Sequence, residues 1–181
     1  MTALVFDVKD SRNRLGLKGP RAAEWLVSHD IVLPMSPNSW THSAAVADED
    51  ALLVARLGHT EFFLEDAAAG TAIQELSREL AANPPAVYPV LREDWAFELS
   101  GDAVHDVLAQ VCNVHFADLN LDSHPVIMTL MIGVAVLVVP RGSDAERRYR
   151  IWCDPTFGPS LSETLGVVVV ECGGTRIGVS A

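Results

Sequence analysis

Leu15-Gly-Leu-Lys-Gly-Pro-Arg-Ala-Ala-Glu-Trp-Leu26 and Phe97-Glu-Leu-Ser-Gly-Asp-Ala-Val-His-Asp-Val-Leu108 are two copies of one pattern, 82 residues apart. The offset superposes Leu15 on Phe97, Leu17 on Leu99, Gly19 on Gly101 and Leu26 on Leu108. Each copy reads as a short alternating strand, a glycine turn and then a helix. Pro20 suits a first helical turn, where its missing N–H would have no partner in any case. Asp102 supplies the second copy with a first-turn anion, which the helix dipole favours. Ala22, Trp25 and Leu26, and Val104, Val107, Leu108 and Val111, predict the buried stripes of the two helices.

The segments after the two helices recur as well. After the first come a Pro/Ser/Asn loop (34–43), an apolar strand (51–57), a turn at Gly58-His59 and a strand (61–65). A helix over 68–80 comes next, with Ile73, Leu76 and Leu80 on one face, closed by Asn83-Pro84-Pro85. After the second come a loop (118–125), a long strand (127–139), a polar turn (140–146) and a strand (148–153). A short helix over 160–165 and an apolar strand over 167–171 complete the pattern. The reading is an α+β fold of two similar β-α-β-β-α-β halves, 1–90 and 91–181. Their sheets are antiparallel, with helices on one face, and the halves pack closely with pseudo-twofold symmetry.

Composition limits the function classes. Thirteen basic and 24 acidic residues give a net charge of −11, and an acidic surface repels phosphate backbones, so no nucleic-acid partner is expected. Hydrophobic residues form 49% of the chain, enough for a folded core. Cys112, Cys153 and Cys172 form neither a disulfide framework nor a paired zinc pattern. Charge interrupts the N-terminal segment before a secretory apolar region develops. The most apolar run, 126–139, falls short of the roughly 20 residues of a membrane helix. A soluble, cytoplasmic protein is expected, with no membrane partner.

The residues also carry a resemblance. The stretch from Arg14 to Leu26 resembles the opening motif of the gamma subunit of heterotetrameric sarcosine oxidase. Phe97 to Gly101, continuing to Val107-Leu-Ala-Gln-Val-Cys112, is similar to that family's middle motif. So are Thr129-Leu130 with Gly133 before a strand, and Arg150-Ile-Trp-Cys-Asp-Pro-Thr-Phe157 before the last helix. The usual Leu-Asp-Leu after the second-half cysteine is Asn113-Val-His115 here. The resemblance implies the fold of the glycine-cleavage T-protein, an aminomethyltransferase that binds tetrahydrofolate. It implies an accessory, non-catalytic subunit whose partners are larger flavoprotein subunits of an amine oxidase complex. Those partners would hold the FAD, FMN, NAD and tetrahydrofolate, and this chain none of them. The alternative is a stand-alone folate-binding protein of aminomethyl transfer.

Among the residues themselves, a nucleophile elbow, a phosphate loop and His-Glu-x-x-His are all absent. Gly16-Leu-Lys-Gly19 reads as a tight turn rather than an anion cradle, since a third glycine and a distal acid are missing. Cys112, His115 and His124 with Asp118 have metal-like spacing, weighed against a buried structural cysteine and two loop histidines. No catalytic or metal site is assigned. Lys9, Arg12, Arg14, Lys18 and Arg21 form a basic run that either docks a partner's acidic face or is simply a solvated face. Trp40, an aromatic in a polar loop, either anchors an interface or packs back onto its own sheet. Arg14, Lys18, Arg21 and Trp40 are thus the candidate partner-interface residues. Alternation predicts Arg148 and Arg150 on one side of their strand and Tyr149 on the other. Glu93-Asp94 reads as a charged loop between the halves.

Overall fold

The fold is described from a computed structural model, over residues 3–8, 12–43, 51–66, 70–142 and 147–177. The chain runs β1 (Val5–Val8), β2 (Arg14–Lys18), α1 (Ala22–Ser28), β3 (Ser39–Ser43), β4 (Leu52–Arg56), β5 (Glu61–Glu65), α2 (Ala72–Leu80) and β6 (Tyr88–Val90). It continues with β7 (Trp95–Ser100), α3 (Val104–Val111), β8 (Ile127–Met131), β9 (Val134–Arg141), β10 (Arg148–Cys153), α4 (Gly158–Glu171) and β11 (Thr175–Ile177). Two compact units result. One spans Ser11–Glu93, and the other joins Met1–Asp10 to Asp94–Ala181.

In the first unit the sheet order is β3-β4-β5-β2-β6, antiparallel throughout. Strand periodicity of two sends Leu15 and Leu17, Leu52 and Val54, and Phe62 and Leu64 to one face. There they meet Ala22 and Leu26 of α1 and Ile73, Leu76 and Leu80 of α2, the expected stripes. Burying each large apolar side chain contributes roughly 1.5–3 kcal/mol. Asp66, buried after β5, accepts a hydrogen bond from Ile73 N–H (3.2 Å) and so caps a free donor at the start of α2.

The second unit repeats this plan. Its sheet order is β11-β1-β7-β10-β9-β8, and α3 and α4 cover one face. β8, β9, β10, β7 and β1 stand where β3, β4, β5, β2 and β6 stand in the first unit. The correspondence reaches the turns. Gly19 donates its N–H to Thr60 O before β5, and Gly101 donates its own to Arg147 O before β10. Both glycines have φ in the range that excludes side chains, +131° and +111°. A Cβ on Gly19 would strike the carbonyl of Ala86, two residues before β6; one on Gly101 would strike that of Ala3, two residues before β1.

Four expectations change. The strand expected over 127–139 is a hairpin, β8 and β9, turning at Ile132 and Gly133 with φ of +51° and +78°. Two positive φ values give the turn whose twist matches the flanking strands. The loop expected over 34–43 contains edge strand β3. The strand expected over 167–171 is instead the end of α4: Leu161, Leu165 and Val169, four apart, are buried, and that burial outweighs the strand preference of four consecutive valines. Finally, residues 5–8, which a division at 90 assigns to the first half, form β1 in the second unit's sheet, antiparallel to β7 and parallel to β11. The helix expected over 68–80 is observed as Ala72–Leu80; residues 67–69 lie outside the described ones.

Candidate functional site

The basic run separates by strand alternation. Arg14 opens β2 directly opposite Glu65 of β5, and its Nε lies 2.7 Å from Glu65 Oε2, both side chains almost fully buried (3% and 2% exposed). A guanidinium committed in this way cannot present itself to a partner, so Arg14 is corrected from interface residue to internal ion pair. Lys18, at the other end of β2, is exposed, with Glu61 and Tyr88 as cross-strand neighbours. Arg21 precedes α1, is half exposed and pairs with Glu24 at 3.0 Å. Lys9 lies outside the described residues. Trp40 sits on β3 opposite Ala55, is buried, and has its ring edge-on to His42 at 5.1 Å. Paired with Ala55, Trp40 lies on the sheet face away from Leu52 and Val54, and being buried it is not an exposed anchor. The polar residues of 34–43 read as loop because β3 is a short edge strand.

Beside Arg21, in the first unit, is a cavity of about 200 Å³ lined by Arg21, Glu24, Trp25, Ser28, Pro84, Pro85 and Val87. α1 supplies Trp25 and Ser28. The Asn83–Ala86 turn supplies the prolines, and its ends, Asn83 and Ala86, are left-handed (φ +52° and +62°). Ala86 is held there by Arg21 N–H, which donates to its carbonyl at 3.2 Å, and Val87 N–H closes the turn on Pro84 O at 3.3 Å. A second cavity of about 440 Å³, lined by His29, Asp30, Ile31, Glu75, Arg78 and Glu79 among others, lies between the end of α1 and α2.

In the second unit Cys112 is buried at the end of α3, its Sγ 3.7 Å from Thr129 Oγ1. His115 and Asp118 form an exposed pair at 2.9 Å. Among the described residues, no three His, Cys, Asp or Glu side chains come together as metal ligands. Tyr149 turns into the helix-side core and Arg150 does not join it, as alternation requires; Arg150 instead lies 5.6 Å over the Trp152 ring. A cluster the sequence did not reveal joins α3 to β10 and to Arg147 just before it. Arg147 Nη1 donates to His105 Nδ1 at 2.6 Å, which leaves His105 Nε2 to donate to Tyr149 Oη at 2.6 Å. His105 and Tyr149 are far apart in sequence, and no local spacing signals that they meet. Tyr149 is fully buried, so the trio ties α3 to β10.

Cys153 is buried, and its thiol is pushed up to about 11, first by that burial and then by the charges of Asp94 and Asp154. Asp154 is held below the usual carboxylate range by the Thr156 hydroxyl and then its N–H. A thiol raised on folding favours the native state below its unfolded pKa, and that contribution is lost as pH climbs from about 9 towards 11. Native Cys153 is therefore expected to resist iodoacetamide at pH 8 while half-buried Cys172 reacts. Peptide mapping after alkylation checks this, and equal labelling of the two would refute it.

No family model matches the sequence, and no curated protein does. Solved structures match its fold. Glycine cleavage system aminomethyltransferase T from Bartonella henselae superposes with a TM-score of 0.72 at 17% identity, over 97% of this chain and 48% of that one. Heterotetrameric sarcosine oxidase from Corynebacterium sp. U-96, in complex with pyrrole 2-carboxylate, gives 0.71 at 20% identity, over 96% of this chain and 87% of that one. The fold is thus T-protein-like, as the resemblance implied. The chain spans about half the length of the aminomethyltransferase and most of the matched oxidase chain. No helix among the described residues is long and apolar enough to cross a membrane.

Proposed function

We propose that this chain is a non-catalytic accessory subunit of a multi-subunit amine oxidase of the sarcosine oxidase type. The observation that carries the reading is the fold match to a chain of the heterotetrameric oxidase, with a TM-score of 0.71 over 96% of this chain and 87% of that one. The absence of catalytic motifs in the sequence supports the same reading. In this assignment larger flavoprotein partners carry FAD, FMN, NAD and tetrahydrofolate, and the subunit works in the cytoplasm. Lys18 and Arg21 remain its candidate contact residues, since both are exposed.

Purification of the tagged full chain from its source cells tests this. The expected result is a hetero-oligomer that includes larger subunits and shows flavin absorbance. A lone, colourless chain sinks the subunit reading. The alternative supported by the aminomethyltransferase fold, a stand-alone folate-binding protein, then predicts saturable tetrahydrofolate binding by the isolated chain.

A further inference from the structure

We infer that the open edge of β8 is a docking site for an extended, uncharged apolar segment of a partner protein, which joins the second unit's sheet as a further strand. The inference rests on the subunit reading and names where and how a partner attaches. Backbone geometry is the first argument. β8 ends its sheet, with β9 along one side of it. In a two-residue hairpin the flanking residues, here Met131 and Val134, bond to each other. Alternation then turns the Thr129 amide to β9 and those of Met128 and Leu130 outward. Ile132 N–H follows the same alternation and donates to Val111 O at 2.9 Å, and Cys112 bridges Met131, so the end of α3 already caps one end of this edge. The Met128 and Leu130 amides have no acceptor among the described residues.

Side chains supply the second argument. Met131, Val136 and Val138 join the helix-side core, so alternation sends Met128 and Leu130 to the opposite face, beside Leu137 and Ala135 of β9. There Met128 and Leu130 are 55% and 59% exposed, and Ile132 at the turn is 43% exposed. β8 holds neither charge nor proline, the usual guards of an edge. β3, in the corresponding place of the first unit, is Ser-Trp-Thr-His-Ser and has no exposed residue. The apolar exposure is thus particular to β8 and is no consequence of the sheet plan. Area identifies the occupant. The three side chains expose roughly 300 Å², well short of the about 800 Å² that each partner of a stable face-to-face complex buries. A second copy, also of charge −11, brings repulsion to so small a contact. A single added strand needs no larger area, because main-chain hydrogen bonds to Met128 and Leu130 supply affinity and its alternate side chains meet theirs.

The full chain, ¹⁵N-labelled, is titrated with acetyl-Ser-Val-Thr-Val-Thr-Val-Ser-amide, with the same peptide N-methylated at every valine, and with Asp in place of every valine. In the free chain the Met128 and Leu130 amides should exchange with solvent faster than those of Thr129 and Met131. The parent peptide should shift and protect them, and both altered peptides should bind weaker by about tenfold or more. Leu130→Lys, on an exposed face, should abolish binding. Met128→Pro should abolish it in a chain that still folds, since an outward amide at an edge tolerates proline. Absence of shifts at about 5 mM parent peptide, or equal affinity for the N-methylated one, overturns the inference. So does a concentration-dependent doubling of mass that protects the same amides, which makes a second copy the occupant. A flavin-bearing complex that keeps its larger subunits in the Leu130→Lys variant overturns the edge as a docking site but leaves the subunit reading intact. Peptide binding by a chain that purifies alone removes the subunit reading and keeps the edge.

Discussion

Arg14→Met is expected to lower the stability of the chain by about 3–5 kcal/mol, the cost of breaking a buried ion pair by removing one of its charges. The pair is internal on both sides, with Arg14 and Glu65 facing one another across β2 and β5 at 2.7 Å. Two charges brought out of water at that depth are held by their mutual attraction and hydrogen bonding. Loss of one therefore costs far more than the loss of a surface pair such as Arg21–Glu24, whose removal is expected to change stability by less than about 1 kcal/mol. Removing both charges reverses most of the effect, since apolar replacements of similar size are often neutral for such pairs. Arg14→Met with Glu65→Leu is expected to recover to within about 1–2 kcal/mol of the parent. Urea unfolding of the four proteins gives the cycle. A single variant within about 1 kcal/mol of the parent would show that the pair carries no such weight.

Gly101→Ala is expected to cost about 3 kcal/mol or more, and Gly19→Ala a similar amount. At φ of +111° and +131° the backbone occupies a region that a side chain opposes, and in each case the new Cβ meets a fixed carbonyl, Ala3 or Ala86. The obstruction is backbone, so no rotamer relieves it. Gly133 is the control. Its φ is +78° and nothing lies within 4 Å of its added Cβ, so Gly133→Ala is expected to cost only about 1 kcal/mol. Thermal unfolding of the three variants should separate them into a severe pair and a mild one. Three equal shifts would mean that the close approach to Ala3 and Ala86 is not what demands glycine.

Those two glycines were also the most legible feature of the sequence. A strand, a glycine that must turn and an apolar helical stripe recur at one offset, and the structure places both copies at the same position of the same sheet plan. Where local signals and burial agreed, the elements were readable, as for β5 and β10. They failed where tertiary context decided. Val134 to Val139 continues the apolar character of Ile127 to Met131, so only Gly133 hinted at a reversal. The four valines of α4 look like a strand until Leu161 and Leu165 are seen to share a face with Val169. Of the candidate contact residues, charge alone gave Lys18 and Arg21. It could not distinguish Arg14, because only the register across β5 brings Glu65 opposite. The pocket beside Trp25 was equally hidden, because its proline wall and its helix are separated in the chain by β3, β4, β5 and α2.

The placement of β1 bears on how the protein is made. Translation delivers Phe6 early, yet its stacking partner Phe97 and the flanking strand β11 are synthesised only after the intervening unit is complete. The Ser11–Glu93 unit holds all five strands of its own sheet and so can close while the ribosome is still adding the rest. During that interval the leading segment waits as an unpaired apolar strand, the kind of edge that invites wrong partners. That exposure ends only when β7, the antiparallel partner of β1, emerges.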